Sequence, residues 1–170
     1  MMGARHVEER DVLQICRDLL ADCTPLETDC GALCAAACCQ PLEAEETGML
    51  LFPGEERFYR DQPDWQIHPA TGGLLLICPG HCRREDRPLA CRLFPLLPLL
   101  RPEGIRVAMD ARARAVCPLR QARACREAFV ERVRQVGERL QEDPVQRAFL
   151  EQLTAQQDAL REIQRRFGGA

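Results

Sequence analysis

The sequence has no lysine, few aromatic residues and no long hydrophobic run. All 23 basic residues are arginine, 5% of the residues are aromatic, and the net charge is −3. A net charge this small gives no strong attraction to nucleic acid or to a membrane surface. No stretch reaches the roughly 18 consecutive apolar residues that a transmembrane helix needs. We therefore expect no nucleic-acid partner and no membrane partner.

The N-terminal residues lack the apolar segment that a signal peptide carries. Residues 1–11, MMGARHVEERD, contain charged side chains where such a segment would be continuous and apolar. This pattern predicts a cytoplasmic protein. Disulfides do not persist in that reducing compartment, so the cysteines are expected to be free thiols or metal ligands.

Two common motifs are also missing. No G-x-G-x-x-G follows a strand pattern, and strands and helices do not alternate, so the sequence does not predict a nucleotide site. No C-x-x-C pair is present, which disfavours a thioredoxin-like oxidoreductase. Only three histidines occur, fewer than mixed cysteine–histidine zinc sites would suggest.

Cysteine, in contrast, is abundant. The chain has 11 cysteines in 170 residues, a density that in a cytoplasmic protein indicates metal binding or catalysis. Cys16, Cys23 and Cys125 lie on apolar helical stripes, where a cysteine acts as a small buried hydrophobic residue. The remaining eight are the candidate metal ligands: Cys30, Cys34, Cys38, Cys39, Cys78, Cys82, Cys91 and Cys117.

The run DCGALCAAACC concentrates four of these ligands. If Asp29 caps a helix that continues through the run, Cys30, Cys34 and Cys38 share one face. Cys39 would then point about 100° away, unless the helix ends there or Cys39 serves a second site. In CPGHC, a Pro-Gly turn can bring Cys78 and Cys82 to one metal, with His81 as a further candidate. The eight thiols suffice for one four-ligand site with spares, or for two sites.

Thiolates are soft ligands that suit zinc or an iron–sulfur cluster. The number of thiols and the scarcity of histidine favour an iron–sulfur cluster over zinc. Four arginines flank the later cysteines, and a nearby cation stabilises a thiolate; a solvated basic patch is the alternative. They are Arg83, Arg84, Arg87 and Arg92.

Hydrophobic spacing predicts helices at both ends of the chain and short strands between them. The pattern indicates one helix over 7–23, a helical region from about 119, and a last helix opened by Asp143 and Pro144. The long helices carry the stripe Ala122, Cys125, Phe129, Val133, Val136 and Leu140, and the stripe Phe149, Leu153, Leu160, Ile163 and Phe167. Residues 41–72 read as largely irregular, and MLLFPGEE, GGLLLIC and GIRVAMD each suggest a short strand.

The expected fold class is mainly α, with a small irregular, short-strand, cysteine-rich region. We predict a compact single domain, 1–170, built around a metal cluster. Within it, residues 24–119 would form the metal-binding core. Residues 120–167 would form a C-terminal helical hairpin.

Five fragments between residues 30 and 119 resemble the YkgJ-type cysteine-cluster proteins, a zinc- or iron-chelating family related to flagellin lysine-N-methylases. The fragments are CGALCAAACC, GMLLFPGEE, LLLICPGHC, RPLACRLFPL and DARARAVCPL. The resemblance implies that the same eight cysteines form the cluster and that Arg87, Pro88, Arg92, Phe94 and Pro95 belong to the motif around Cys91. The spacing here, C-x3-C-x3-C-C, is wider than the C-x2-C-x2-C-C of the family.

These observations predict a metal-binding cysteine-cluster protein that holds an iron–sulfur cluster or zinc. One alternative is a metal-dependent protein-modifying enzyme, similar to a lysine N-methylase, although no cosubstrate site is evident. Another is a metal chaperone or sensor, because thiols beyond four would allow exchange. The expected partners are the metal ion or cluster and a protein partner or substrate.

Overall fold

The computed structural model describes residues 11–40, 48–80, 82–119 and 124–167. About 50% of these residues are helical and 17% are in strands. The helices are α1 (Val12–Leu19), α2 (Cys30–Cys34), α3 (Leu89–Leu93), α4 (Ala113–Val116), α5 (Glu127–Glu142) and α6 (Pro144–Phe167). The strands are β1 (Gly48–Leu50), β2 (Gln66–Ala70), β3 (Gly73–Ile77), β4 (Leu96–Arg101) and β5 (Gly104–Met109).

Helix α1 is shorter than the helix predicted over 7–23. The Asp11 side chain accepts a hydrogen bond from the Gln14 amide at 3.3 Å, which caps the first turn. The helix ends at Leu19, and the Arg84 guanidinium hydrogen-bonds the carbonyls that follow, including that of Ala21 at 2.7 Å. Residues 7–10 lie outside the described residues.

Strands β1, β3 and β2 form a three-stranded antiparallel sheet in that order. The apolar runs predicted β1 and β3 correctly. They did not predict β2, because Ile67 is its only partly buried residue and the strand therefore has no apolar signature. Pro69 fits β2 because this strand lies at the edge of the sheet.

Strands β4 and β5 form a separate two-stranded antiparallel sheet. The segment GIRVAMD predicted β5. The sequence did not predict β4, because LFPLLPLL contains two prolines. In a two-stranded sheet every strand is an edge, so Pro98 is tolerated opposite Val107. The leucines of β4 supply buried side chains to the core.

Helix α5 begins at Glu127, later than the predicted start at about 119. The Asp143 carboxylate accepts hydrogen bonds from the amides of Val145 and Gln146 at 2.9 and 3.0 Å, which confirms the predicted N-cap of α6. The apolar stripe of α6 is buried at its start, but Ile163 and Phe167 are exposed. Ala122 lies outside the described residues.

Helix α5 packs directly on the two-stranded sheet. A Cβ added to Gly137 would lie 2.6 Å from the Cβ of Pro98 and 2.7 Å from Cγ2 of Ile105. Only glycine permits so close an approach of helix to sheet. Helix α5 also packs against α1 and α6, so it lies at the centre of the fold.

The centre of the molecule is a hydrophobic core, and the predicted fold class is wrong on two counts. The strands pair into two antiparallel sheets and do not form a small irregular region. The core is lined mainly by leucine, phenylalanine and valine, and none of the eight candidate ligands belongs to it. Within the described ranges, no three His, Cys, Asp or Glu side chains form a group that could hold a metal ion, so a domain built around a metal cluster is not observed.

None of the described helices combines the length and the apolar character needed to cross a bilayer.

Candidate functional site

The cysteine run does not form one continuous helix. Helix α2 ends at Cys34, and the next two residues, Ala35 and Ala36, have φ of 50° and 52°, in the left-handed region. The Ala36 amide donates to the Gly31 carbonyl at 2.8 Å, which closes the end of the helix. Cys30 and Cys34 therefore stay one turn apart, whereas Cys38 leaves the face that the sequence predicted.

Cys38 and Cys39 form an adjacent thiol pair in a short 3-10 helix, Ala37–Cys39. Their Sγ atoms are 3.9 Å apart. The hydrogen bond that they share raises the pKa of Cys38 and lowers the pKa of Cys39 to about 7. Cys38 thus stays protonated and donates a hydrogen bond to the Cys39 thiolate.

Cys78 and Cys82 form a second pair across the CPGHC turn. Gly80 adopts φ of 81°, and its amide donates to the Cys78 Sγ at 3.4 Å. The hydrogen bond from Cys78, with a further contribution from the Arg87 guanidinium, lowers the pKa of Cys82 to about 6. The candidate ligand His81 lies outside the described residues.

The two pairs lie beside each other. A Cβ added to Gly80 would be 3.8 Å from the Cys39 carbonyl oxygen, so the second turn lies against the backbone of the first pair. Cys91, in the middle of α3, is close to both pairs. Burial raises the pKa of its thiol, and the negative charges of Cys39 and Cys82 raise that pKa further. We call Cys38, Cys39, Cys78, Cys82 and Cys91 the five-thiol group.

The other three candidate ligands adjoin this group. Cys117 follows α4, and α4 packs against the 3-10 helix that carries Cys38 and Cys39. Burial raises the pKa of Cys30, and the charges of Cys34, Asp29 and Cys117 add to that effect. Cys30, Cys34 and Cys117 are therefore neighbours and form a three-thiol group.

Exposure separates the candidate ligands from the structural cysteines. Cys16, Cys23 and Cys125 are buried in the hydrophobic core, as their apolar stripes predict. Cys38 is exposed, and the other seven candidate ligands are partly exposed. The eight residues that the sequence selected are thus at least partly exposed, whereas the three that it assigned to packing are buried.

Of the four flanking arginines, only Arg87 has a role beside a thiolate. Its guanidinium contacts Cys82, and its Nε is buried without a hydrogen-bond partner among the described residues. Arg83 forms exposed ion pairs with Glu85 and Asp86. Arg84 caps α1, and Arg92 hydrogen-bonds backbone carbonyls, so these two stabilise the fold around the site.

A buried polar network beside the thiols was not found from the sequence. The Glu55 carboxylate is fully buried and accepts hydrogen bonds from Arg17 at 3.2 Å and from the Leu89 amide at 2.6 Å. Tyr59 and Arg92 complete the network. The only sign of this network in the sequence is the acidic pair after LFPG. That pair belongs to a fragment that resembles the cysteine-cluster family, but its spacing does not indicate a function.

The structure therefore brings the eight predicted residues into one region, as two pairs, a nearby fifth thiol and a group of three. In the described part of the chain it does not place three of them around one point at metal-binding distances. Binding one ion through both pairs would require the two turns to move closer together.

Comparisons with family models, with curated proteins and with solved structures gave no match for this chain.

Proposed function

We propose that this chain is a metal-binding cysteine-cluster protein and that the five-thiol group holds a soft metal ion. The observation that carries the proposal is the meeting of two thiol pairs, Cys38 with Cys39 and Cys78 with Cys82, from distant parts of the sequence. In each pair, a hydrogen bond from one thiol lowers the pKa of the other. Sulfur donors in this number suit a soft ion such as zinc.

The spacing of the first pair supports zinc. Zinc binds thiolates at about 2.3 Å in a tetrahedron, so two thiolates on one ion lie about 3.8 Å apart. The Sγ atoms of Cys38 and Cys39 are 3.9 Å apart, close to that edge. Two such pairs would supply opposite edges of one tetrahedron, with Cys91 as a fifth thiol nearby.

An iron–sulfur cluster is the alternative, and the number of thiols favoured it from the sequence. In a [4Fe–4S] cluster each iron takes one cysteine, whereas each iron of a [2Fe–2S] cluster takes two. The close Cys38–Cys39 pair therefore disfavours a [4Fe–4S] cluster but fits both zinc and a [2Fe–2S] cluster, which sulfide analysis distinguishes. The three-thiol group remains available for a second ion or for exchange.

Zinc binding to the pairs should release protons. Cys38 and Cys78 keep theirs at neutral pH because each donates to its partner thiolate. Metal ligation requires the thiolate form, so these protons must leave as the ion binds. Affinity should therefore rise with pH.

The cytoplasm is the location that fits this function. All eleven cysteines are free, as a reducing compartment would keep them. We propose the metal as the primary partner, with a protein partner or substrate as the next to seek.

The decisive experiment is metal and sulfide analysis of protein purified without oxygen, followed by cysteine variants. We expect zinc without acid-labile sulfide. Cys82→Ser and Cys91→Ser should lose most of the bound zinc, because each removes a thiol from the five-thiol group. Cys125→Ser should keep it, because that thiol is buried in the core.

Equal zinc content in the three variants would contradict the proposed ligands. Iron with stoichiometric sulfide would replace zinc by an iron–sulfur cluster. Cys34→Ser reports on the three-thiol group, since its zinc content would fall only if a second ion binds there.

Metal transfer is a second candidate, favoured by the exposure of the thiols. A closed structural zinc site is enclosed by protein, whereas Cys38 is exposed and the other members of the five-thiol group are partly exposed. Rapid loss of zinc to a mild chelator would favour a chaperone or sensor. Slow loss would favour a structural site.

A further inference from the structure

The segment between Cys82 and Cys91 is held by buried side chains through its backbone. Arg17 and Arg92 donate to the Glu85 carbonyl at 3.1 and 2.7 Å. The Tyr59 hydroxyl donates to the Asp86 carbonyl at 2.9 Å, and Arg92 donates to the Arg87 carbonyl at 2.9 Å. The path of this segment is therefore set by residues that lie outside it or at its end.

Glu55 is the hub of these interactions. One oxygen accepts from the Arg17 guanidinium and from the Leu89 amide, and the other accepts from the Phe52 amide at 3.2 Å. Leu89 opens α3, which carries Cys91 two residues later. One buried carboxylate thus orients both an arginine of the network and the helix that presents a thiol.

The other side of the thiol site has no such support in the described part of the chain. There, the hydrogen bonds of residues 30–40 are all made within Asp29–Gln40. That segment also contains two left-handed alanines and an exposed cysteine. Among the described residues, the site therefore has one side that is hydrogen-bonded to the core and one side whose hydrogen bonds are internal, although α4 packs against it.

We propose that Glu55 is a positioning residue of the thiol site, which fixes Cys82 and Cys91 in place before metal binds. This inference rests on the proposed metal-binding function and adds that the two sides of the metal site behave differently. The side with Cys82 and Cys91 is preformed, and the side with Cys38 and Cys39 closes onto the ion. Preformed ligands bind more tightly because less ordering accompanies binding.

The test is the zinc affinity of Glu55→Gln, measured by competition with a chromogenic chelator. The two oxygens of the Glu55 carboxylate accept from two different backbone amides, those of Phe52 and Leu89. The glutamine side chain has only one acceptor oxygen, so it cannot make both of these hydrogen bonds. We expect zinc affinity to fall by about 10- to 100-fold, as for other residues that orient metal ligands. The weaker variant Tyr59→Phe, which loses the bond to the Asp86 carbonyl, should show a smaller loss.

The matched control is Thr154→Val. Its hydroxyl is also buried and accepts from the Leu100 amide at 3.0 Å, but it lies at the contact between α6 and β4. This variant should lose stability and keep wild-type zinc affinity. If Glu55 contributes only to stability, Glu55→Gln should likewise lose stability and keep wild-type zinc affinity.

The outcomes separate the two proposals. Zinc binding by the wild type with unchanged affinity in Glu55→Gln would overturn the role of Glu55 and leave the metal site standing. No zinc binding by the wild type would overturn both. If Glu55→Gln does not fold, Tyr59→Phe decides: unchanged affinity in that variant would reject the positioning network.

Discussion

At the scale of single residues, the thiol pairs make ordinary cysteines chemically unequal. In each pair one sulfur keeps its proton and hydrogen-bonds the other, so one thiolate forms near neutral pH. Cys125 shows the opposite case, because burial raises the pKa of its thiol to about 11. The thiolate is the reactive form of cysteine, so the pairs should determine where the protein reacts.

This difference predicts a pH profile. In metal-free protein, the rate of Cys82 alkylation by iodoacetamide should rise through about pH 6, because its pKa is lowered to about 6. Peptide mapping by mass spectrometry after short exposures would measure it. Cys78→Ala removes the hydrogen-bond donor and should move the midpoint of the profile upward.

Cys125 is the internal reference for this experiment. It should remain unmodified at pH 8, because its thiol is buried and its pKa is about 11. A Cys82 midpoint at the value of an ordinary exposed thiol would show that the pair does not exist in solution.

The lowered pKa of Cys82 also makes the stability of the fold depend on pH. The pKa of Cys82 is lower in the folded protein than in the unfolded chain, so its ionisation favours folding. That contribution is complete above the unfolded pKa of about 8.5. It is lost as the pH falls through about 6.

At the scale of elements, the break after α2 gives the site its shape. A continuous helix would have placed Cys38 over Cys34. Two successive left-handed alanines instead turn the chain so that Cys38 and Cys39 come to the CPGHC turn. A left-handed residue with a Cβ costs about 1–2 kcal/mol, so the segment stores strain beside the thiols.

Substituting Ala35→Gly should relieve part of that strain. Glycine adopts φ of 50° without a Cβ clash, and we expect the free energy of unfolding of the metal-free protein to rise by up to about 1 kcal/mol. Urea denaturation followed by circular dichroism would measure the change.

The same substitution inside α2 supplies the control. Ala32→Gly, at an exposed helical position, should lower stability by up to about 1 kcal/mol. If both variants are destabilised equally, Ala35 is not left-handed in solution.

At the scale of the whole molecule, the sequence predicted the elements whose apolar pattern is strong. The stripes of α5 and α6, the cap at Asp143 and the strands β3 and β5 follow from local spacing. The exposed strand β2 and the proline-containing strand β4 do not, because their pairing depends on distant partners. For the site, the sequence indicated which thiols to group, but the left-handed turn and the buried carboxylate of Glu55 depend on tertiary contacts.

The separation of core and thiols predicts how the protein responds to a chelator. The core is apolar and contains none of the eight candidate ligands. Removing metal should therefore leave the helical circular dichroism signal of α5 and α6 nearly unchanged, unlike that of a zinc finger, which unfolds without its ion. Loss of most of the helical signal on chelation would show that the metal is required for folding.

The outer edges of β2 and β4 have a consequence for how copies of this chain meet. An edge strand can pair with the edge of another molecule and begin aggregation. Pro69 removes one backbone donor from the edge of β2, so a second chain cannot complete its ladder there. The edge of β4 is covered by α6, where the Leu100 amide donates to the Thr154 hydroxyl at 3.0 Å. A protein rich in accessible thiols is thereby protected from the stacking that would bring those thiols together and cross-link them.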